Sequence, residues 1–332
     1  MPARLQTLCR ITSFLLLGTQ MLLSSPGPAS LRPVSTYSIV AMDPATGELG
    51  VAVQSHWFSV GSLVTWARAG VGAIATQSFV LVDYGPEGLA LMDQGVPAPD
   101  ALQQLLAKDE GRAVRQVAMI DAGGGVASHT GAQCIEAAGH QTGENYSVQA
   151  NLMLSPEVWP RMADAFKHTE GDLADRMMAA LEAAEEVGGD IRGRQSAAIL
   201  IVSGEKVDQP WQGIVMELRV EDHPDPLAEL RRLIRVHQAY EHMNAGDLAV
   251  EVDDQETALL EYGAAEALFP DNLEMKFWHA VALVNMERQK EAYPLFKTIF
   301  EQDKNWRILV PRLVPSGLME QQSAEQILRK VK

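Results

Sequence analysis

Thr36 heads the stretch Thr36-Tyr-Ser-Ile-Val-Ala-Met42, in which Tyr37, Ile39 and Ala41 alternate with Ser38, Val40 and Met42. That alternation is the period of a strand. A threonine at the head of a strand has two uses. It can simply be a β-branched residue that suits a strand opening. It can also be a nucleophile, if the chain is cut immediately before it. The freed α-amine, with a pKa of about 8, then takes the proton of the neighbouring hydroxyl, so that one residue supplies nucleophile and base together.

Other chemistries lack their residues. His56, His129, His140 and His223 are scattered, and none forms the i, i+4 helical pair of an HExxH zinc site, so no metal is expected. There is no GxSxG elbow for a serine hydrolase. Gly123-Gly-Gly125 lacks the Lys and Ser/Thr of a phosphate-binding loop and reads as a hairpin turn, and no cofactor is expected. The sequon at Asn145-Tyr-Ser147 fits no other feature and reads as chance.

The elements that must hold Thr36 follow from periodicity. Leu49 to Gln54 reads as the return of a hairpin through Asp43-Pro-Ala-Thr-Gly47, and Val71 to Gln77 as a third strand, so that three strands precede any helix. Helical spacing covers Glu87 to Met92 and Pro99 to Lys108, then Val158 to Phe166 and Leu173 to Val187, the last ended by Gly188-Gly189. Between these pairs, Arg115 to Asp121 and Gly125 to His129 form a second hairpin. Ser196 to Ser203 and Ile214 to Val220 are apolar strands. This order suits an α+β layered sandwich better than a parallel doubly wound sheet. Beyond Pro224 and Pro226 the chain turns to helix formers, with Leu227 to Tyr240 as a connecting helix. Ala258 and Ala292, Tyr262 and Phe296, and Ala265 and Ile299 then recur at the 34-residue spacing of tetratricopeptide repeats.

Composition bounds the partners. The 332 residues suffice for two domains, and 47% hydrophobic against 21% charged residues is the balance of a globular protein. A net charge of −16 repels nucleic acid, which is excluded as a partner. The first 29 residues carry Arg4 and Arg10, no acid, and an apolar run from Ile11 to Leu23, the layout of a signal peptide with a cut after Ala29. An uncleaved membrane anchor is the competing reading, but the run is short for a span of about 20 residues. Export to the periplasm or beyond is therefore expected. Cys9 lies within that segment, which leaves Cys134 alone, buried and without an internal disulfide.

The segments TYSIVAMDPATGELGVAVQSHWFSVGSLV, WARAGVGAIATQS, YGPEGLALM, RQVAMIDAGGGVASHTG, AGHQTGENYSVQANLM, GGDIRGRQSAAILIV and LRVEDHPDPLAELRRL resemble the successive blocks of a bacterial family, domain of unknown function 1028, over about Thr36 to Val236. The resemblance implies the fold of the N-terminal-nucleophile hydrolases, a four-layer αββα sandwich, for residues 36–236. It makes Thr36 the catalytic nucleophile by position, and it implies amide hydrolysis through an acyl-enzyme on a small-molecule or peptide substrate. Shorter members carry Met directly before the matching Thr, whereas here Val34 and Ser35 precede it. The same blocks place polar residues at strand ends, where they face a cleft. Gln77, Asn151, Arg194, Gln195, Asp222 and His223 are the expected substrate-binding residues, with Arg194 pairing a carboxylate, and His56 is a weaker candidate. The extension 237–332 resembles a peptidoglycan-binding domain. Its physical reading is an all-α, tetratricopeptide-like surface for a wall or protein partner. A non-catalytic envelope protein is thus the alternative reading, and a homo-oligomer is compatible with both.

Overall fold

The computed structural model describes Val34 and residues 36–331; the expected signal peptide, residues 1–29, lies outside the described residues. Among the described residues, ten strands form two antiparallel sheets. One has six strands in the order β10-β9-β2-β1-β8-β7, and the other has four, in the order β3-β4-β5-β6. The first is built from β1 (Thr36–Met42), β2 (Leu49–Ser55), β7 (Gly139–Gly143), β8 (Tyr146–Ala150), β9 (Ser196–Val202) and β10 (Ile214–Val220). The second comprises β3 (Thr65–Arg68), β4 (Gly72–Ser78), β5 (Arg115–Asp121) and β6 (Val126–Thr130).

Each strand's alternation assigns its faces. Val40, Val51, Val53 and Ala198 of the larger sheet meet Ala73, Ala75, Ala118 and Ile120 of the smaller one in a core between the sheets. The opposite face of the smaller sheet, with Ile74, Val117 and Met119, is covered by α2 (Tyr84–Asp93) and α3 (Ala98–Lys108). The opposite face of the larger sheet, with Tyr37, Ile39, Ala41, Val148 and Ile199, is covered by α4 (Val158–His168) and α5 (Leu173–Glu186). Gly50 makes this last contact possible. A Cβ there would lie 2.7 Å from Met177 Sδ and 3.2 Å from Leu173 Cδ2, so a side chain would push α5 off β2.

Two expectations need correction. A short helix α1 (Gly61–Val64) and strand β3 come before the strand read at Val71 to Gln77, so three strands do not precede every helix. Four-residue elements are too short to show a period. Cys134 is half-buried rather than buried; its Sγ donates to the Arg115 carbonyl at 3.3 Å, and burial raises its thiol pKa.

The connecting helix α6 (Pro226–Glu251) is longer than its sequence pattern indicated. Its start, Leu227, Leu230 and Ile234, packs on the large sheet's helical layer. Its end, Ala239, Met243 and Ala249, packs against α7 (Gln255–Leu268). The expected boundary at 236/237 therefore falls inside one continuous helix. There follow α8 (Leu273–Asn285), α9 (Gln289–Gln302), α10 (Asn305–Leu309) and α11 (Gln321–Lys330), an all-helical region. The repeated positions fall on α7 and α9, where Ala258, Tyr262, Ala265, Ala292, Phe296 and Ile299 are all buried.

Candidate functional site

β1 lies between β2 and β8, so both its edges are paired, and the smaller sheet and the α4–α5 layer cover its faces, so every polar group on it must find a partner. Thr36 and Ser38 are on the face toward the smaller sheet, and both are fully buried. They meet Gln77 from the end of β4, Gln116 from β5, and Gln149 and Asn151 from β8 and its end, all fully buried. A polar seam thus replaces the apolar core at this end of the sheets.

The seam is a connected network. Gln77 Nε2 donates to the Thr36 carbonyl at 3.1 Å and to Gln116 Oε1 at 2.7 Å. Its Oε1 accepts from Ser38 Oγ at 2.5 Å, and Ser38 Oγ accepts in turn from Gln149 Nε2 at 2.6 Å. The Asn151 backbone N–H donates to the Thr36 carbonyl at 3.1 Å, and its Nδ2 donates to Gln116 Oε1 at 2.9 Å, with the Thr36 carbonyl 3.4 Å away. Gln116 Nε2 closes the network through Thr130 Oγ1 and the Ala150 carbonyl, both at 2.9 Å. Asn151 Oδ1 is buried without a partner among the described residues.

The hydroxyl of Thr36 is engaged by the residue two places before it. Its Oγ1 donates to the Val34 carbonyl at 2.8 Å and lies 3.1 Å from Ser55 Oγ on β2. Val34 is itself clamped to the end of β4, its N–H donating to the Ser78 carbonyl at 2.7 Å and its carbonyl accepting from Ser78 N–H at 3.1 Å. With Val34 in this place, the hydroxyl proton is committed to a carbonyl. Removal of the preceding segment would free the hydroxyl and create an amine beside it.

Of the expected binding residues, Gln77 and Asn151 are brought to Thr36. Arg194, Gln195, Asp222 and His223 gather elsewhere, around the start of β9 and the end of β10. Arg194 Nε donates to Glu185 Oε2 at 2.6 Å and its Nη1 lies 3.4 Å from Asp225 Oδ1, so the carboxylates it holds are the protein's own. Gln195 Nε2 donates to Asp222 Oδ1 at 3.2 Å, and its carbonyl accepts from His223 N–H at 2.8 Å. His56 joins this second group through Nδ1, 3.3 Å from the Arg194 carbonyl. Tyr37 links it to β1, donating to Glu185 Oε1 at 2.5 Å; burial, then the Glu185 charge, keeps the phenol protonated far above its ordinary range. Tyr37 points to the helical face of β1, the face opposite Thr36.

Sequence reasoning did not single out Ser38, Ser55, Gln116 or Gln149. A usable signal was present: glutamines in the inward phase of apolar strands, as in Arg-Gln-Val-Ala-Met-Ile and Tyr-Ser-Val-Gln-Ala, cannot be buried alone.

Comparison with known proteins follows the same region. The model of a family of unknown function, DUF1028, matches residues 36–230 and ends inside α6. The crystal structure of a protein from Silicibacter pomeroyi that carries the same family model is similar to this chain with a TM-score of 0.54 and 31% identity. The likeness covers 60% of this chain and 85% of that one. No curated protein matches.

Proposed function

We propose, from the premise that the chain belongs to the DUF1028 family, that it is an exported amide hydrolase of N-terminal-nucleophile type whose nucleophile is Thr36. The observation that carries this reading is the setting of Thr36. It heads an interior strand, with its side chain buried between two sheets and its carbonyl held by the amide donors of Gln77 and Asn151. The helix, sheet, sheet, helix order of the apolar layers supports assignment to the αββα sandwich of that superfamily.

The proposed steps begin with loss of the segment before Thr36. The new α-amine takes the hydroxyl proton as Oγ1 attacks the substrate's amide carbon, and an amide N–H of Gln77 or Asn151, turned away from the Thr36 carbonyl it faces before processing, steadies the oxyanion. The proton passes to the departing amine and leaves an ester on Thr36. Water, activated by the same amine, hydrolyses that ester. The substrate class is a small-molecule or peptide amide.

A second reading rests on a different observation: with Val34 in place Thr36 is fully buried and its hydroxyl is taken. A chain that keeps this segment is a non-catalytic envelope protein. Its helical region, tetratricopeptide-like in its repeated buried positions, would carry the partner, peptidoglycan or protein.

N-terminal sequencing and intact mass of the exported protein separate the two. The hydrolase reading expects Thr36 as the first residue and loss of all turnover in Thr36→Ala. A mature chain that starts at Ser30 and still cleaves an amide overturns the free-amine mechanism.

A further inference from the structure

Two cavities adjoin on the helical region and share Asn285 and Leu318. The first, of about 320 Å³, lies between the end of α6 and α8; the second, of about 660 Å³, lies between α8, the turn after it and the start of α11. Asn285 Nδ2 donates to the Leu318 carbonyl at 3.1 Å, which fixes the junction between them.

The charges along this groove have one sign. Asp247 and Glu251 line the first cavity, Glu287 and Glu320 the second, and neither cavity is lined by lysine, arginine or histidine. All four acids are exposed. The nearest basic residue in the chain to Glu287 is Arg288, and its guanidinium is committed to Glu291, with bonds of 2.8 and 2.7 Å. Asp247 is aimed by Tyr262, whose hydroxyl donates to Oδ1 at 2.6 Å and leaves Oδ2 for another donor. The floor is apolar and aromatic, with Trp278, Val281 and the half-exposed Leu318. Carboxylates on the rim of an aromatic floor suit a cationic side chain, whose charge meets the acids while its aliphatic stem lies on the ring.

We infer that this groove binds an extended polypeptide segment rich in lysine or arginine. Two adjoining cavities accept successive side chains of an extended chain, and like-charged rims repel acidic segments and carboxylate-bearing wall peptides. Charge complementarity therefore selects the occupant more sharply than shape.

The test uses the full chain and fluorescence anisotropy with two labelled twelve-residue probes, one alternating Lys and Ala, the other alternating Glu and Ala. The Lys probe is expected to bind with a dissociation constant that rises with salt, and the Glu probe not at all. Neutralising the groove (Asp247→Asn, Glu251→Gln, Glu287→Gln, Glu320→Gln) is expected to weaken the Lys probe by roughly tenfold or more. Neutralising four exposed acids outside it (Glu144→Gln, Glu157→Gln, Glu170→Gln, Glu221→Gln) should leave affinity unchanged, and circular dichroism confirms that each variant folds. The first two and last two groove changes, made separately, are expected each to give part of the loss. The inference is overturned if the Lys probe does not bind, if the Glu probe binds equally, or if the outside variant loses as much as the groove variant.

Discussion

Gln54 sets the residue-scale problem opposite to that of Thr36. It is fully buried on the helical face of β2, across from Tyr37, and neither Oε1 nor Nε2 has a partner among the described residues. A buried amide in that state costs about 1–3 kcal/mol, because water's hydrogen bonds are lost and not replaced. Gln54→Met keeps the length of the side chain and removes the polar atoms. It is expected to raise the unfolding free energy by about 1 kcal/mol or more, read as a higher urea midpoint at unchanged slope. A fall would show that the amide makes a contact essential to the native state. Gln77, Gln116, Gln149 and Asn151 differ from Gln54 in that each is held in the seam, and that contrast is invisible in their residue types. Gln77 and Asn151 were legible as candidates because they stand at strand ends. Gln116 was not, since it has the same chain neighbours as any strand glutamine and its role comes from partners 14 to 39 residues away.

At the scale of elements, α5 and the start of α6 hold the large sheet from its outer face, and their junction depends on a few polar groups. Arg231 on α6 bonds Glu182 at 3.0 and 2.8 Å and Asp175 at 2.7 Å. Asp172 caps α5 by accepting from Asp175 N–H at 2.8 Å, and its other oxygen accepts from Gln238 of α6 at 2.9 Å. Asp172→Ala removes both. The expected cost is about 1 kcal/mol, seen as a melting temperature lower by about 2–4 °C. An unchanged transition would mean that water replaces the cap. Strands and amphipathic helices were readable here because their periods are local. The limits of α1, β3 and α6 were not, because tertiary packing sets where short elements form and how far a helix continues.

At the scale of the molecule, the net charge of −16 makes acid conditions informative. Asp109 accepts from Arg115 Nε at 3.0 Å, from Tyr84 hydroxyl at 3.1 Å and from Gly111 N–H at 2.8 Å, joining α2 to the start of β5. Burial is the largest single influence on its carboxyl and opposes ionisation, but the bonds from Arg115, Gly111 and Tyr84 outweigh it and lower the pKa. A carboxyl whose folded pKa is depressed adds stability above the unfolded value of about 3.9, and loses it as pH falls through the folded value. Urea unfolding is therefore expected to show a steeper loss of stability between pH 5 and pH 2 for the natural chain than for Asp109→Asn, with the variant the less stable at pH 7. Parallel curves would overturn the assignment.

The sequence by itself determined the alternation of β1, the mixed α+β order, the helical C-terminal region and the family, because each is written in local periods or in contiguous blocks of residues. It also marked Thr36 as the head of a strand. Only the tertiary structure decided which polar residues stand around it. Antiparallel pairing brings Thr36 opposite Ser55 and lays Asn151 beside it, and the stacking of two sheets sets Gln77 against its carbonyl and Gln116 against Gln77 and Asn151. The same packing turns Tyr37, with Glu185 and Arg194, to the other face. Side chains one residue apart on a strand point in opposite directions, so neighbours in sequence become members of different sites.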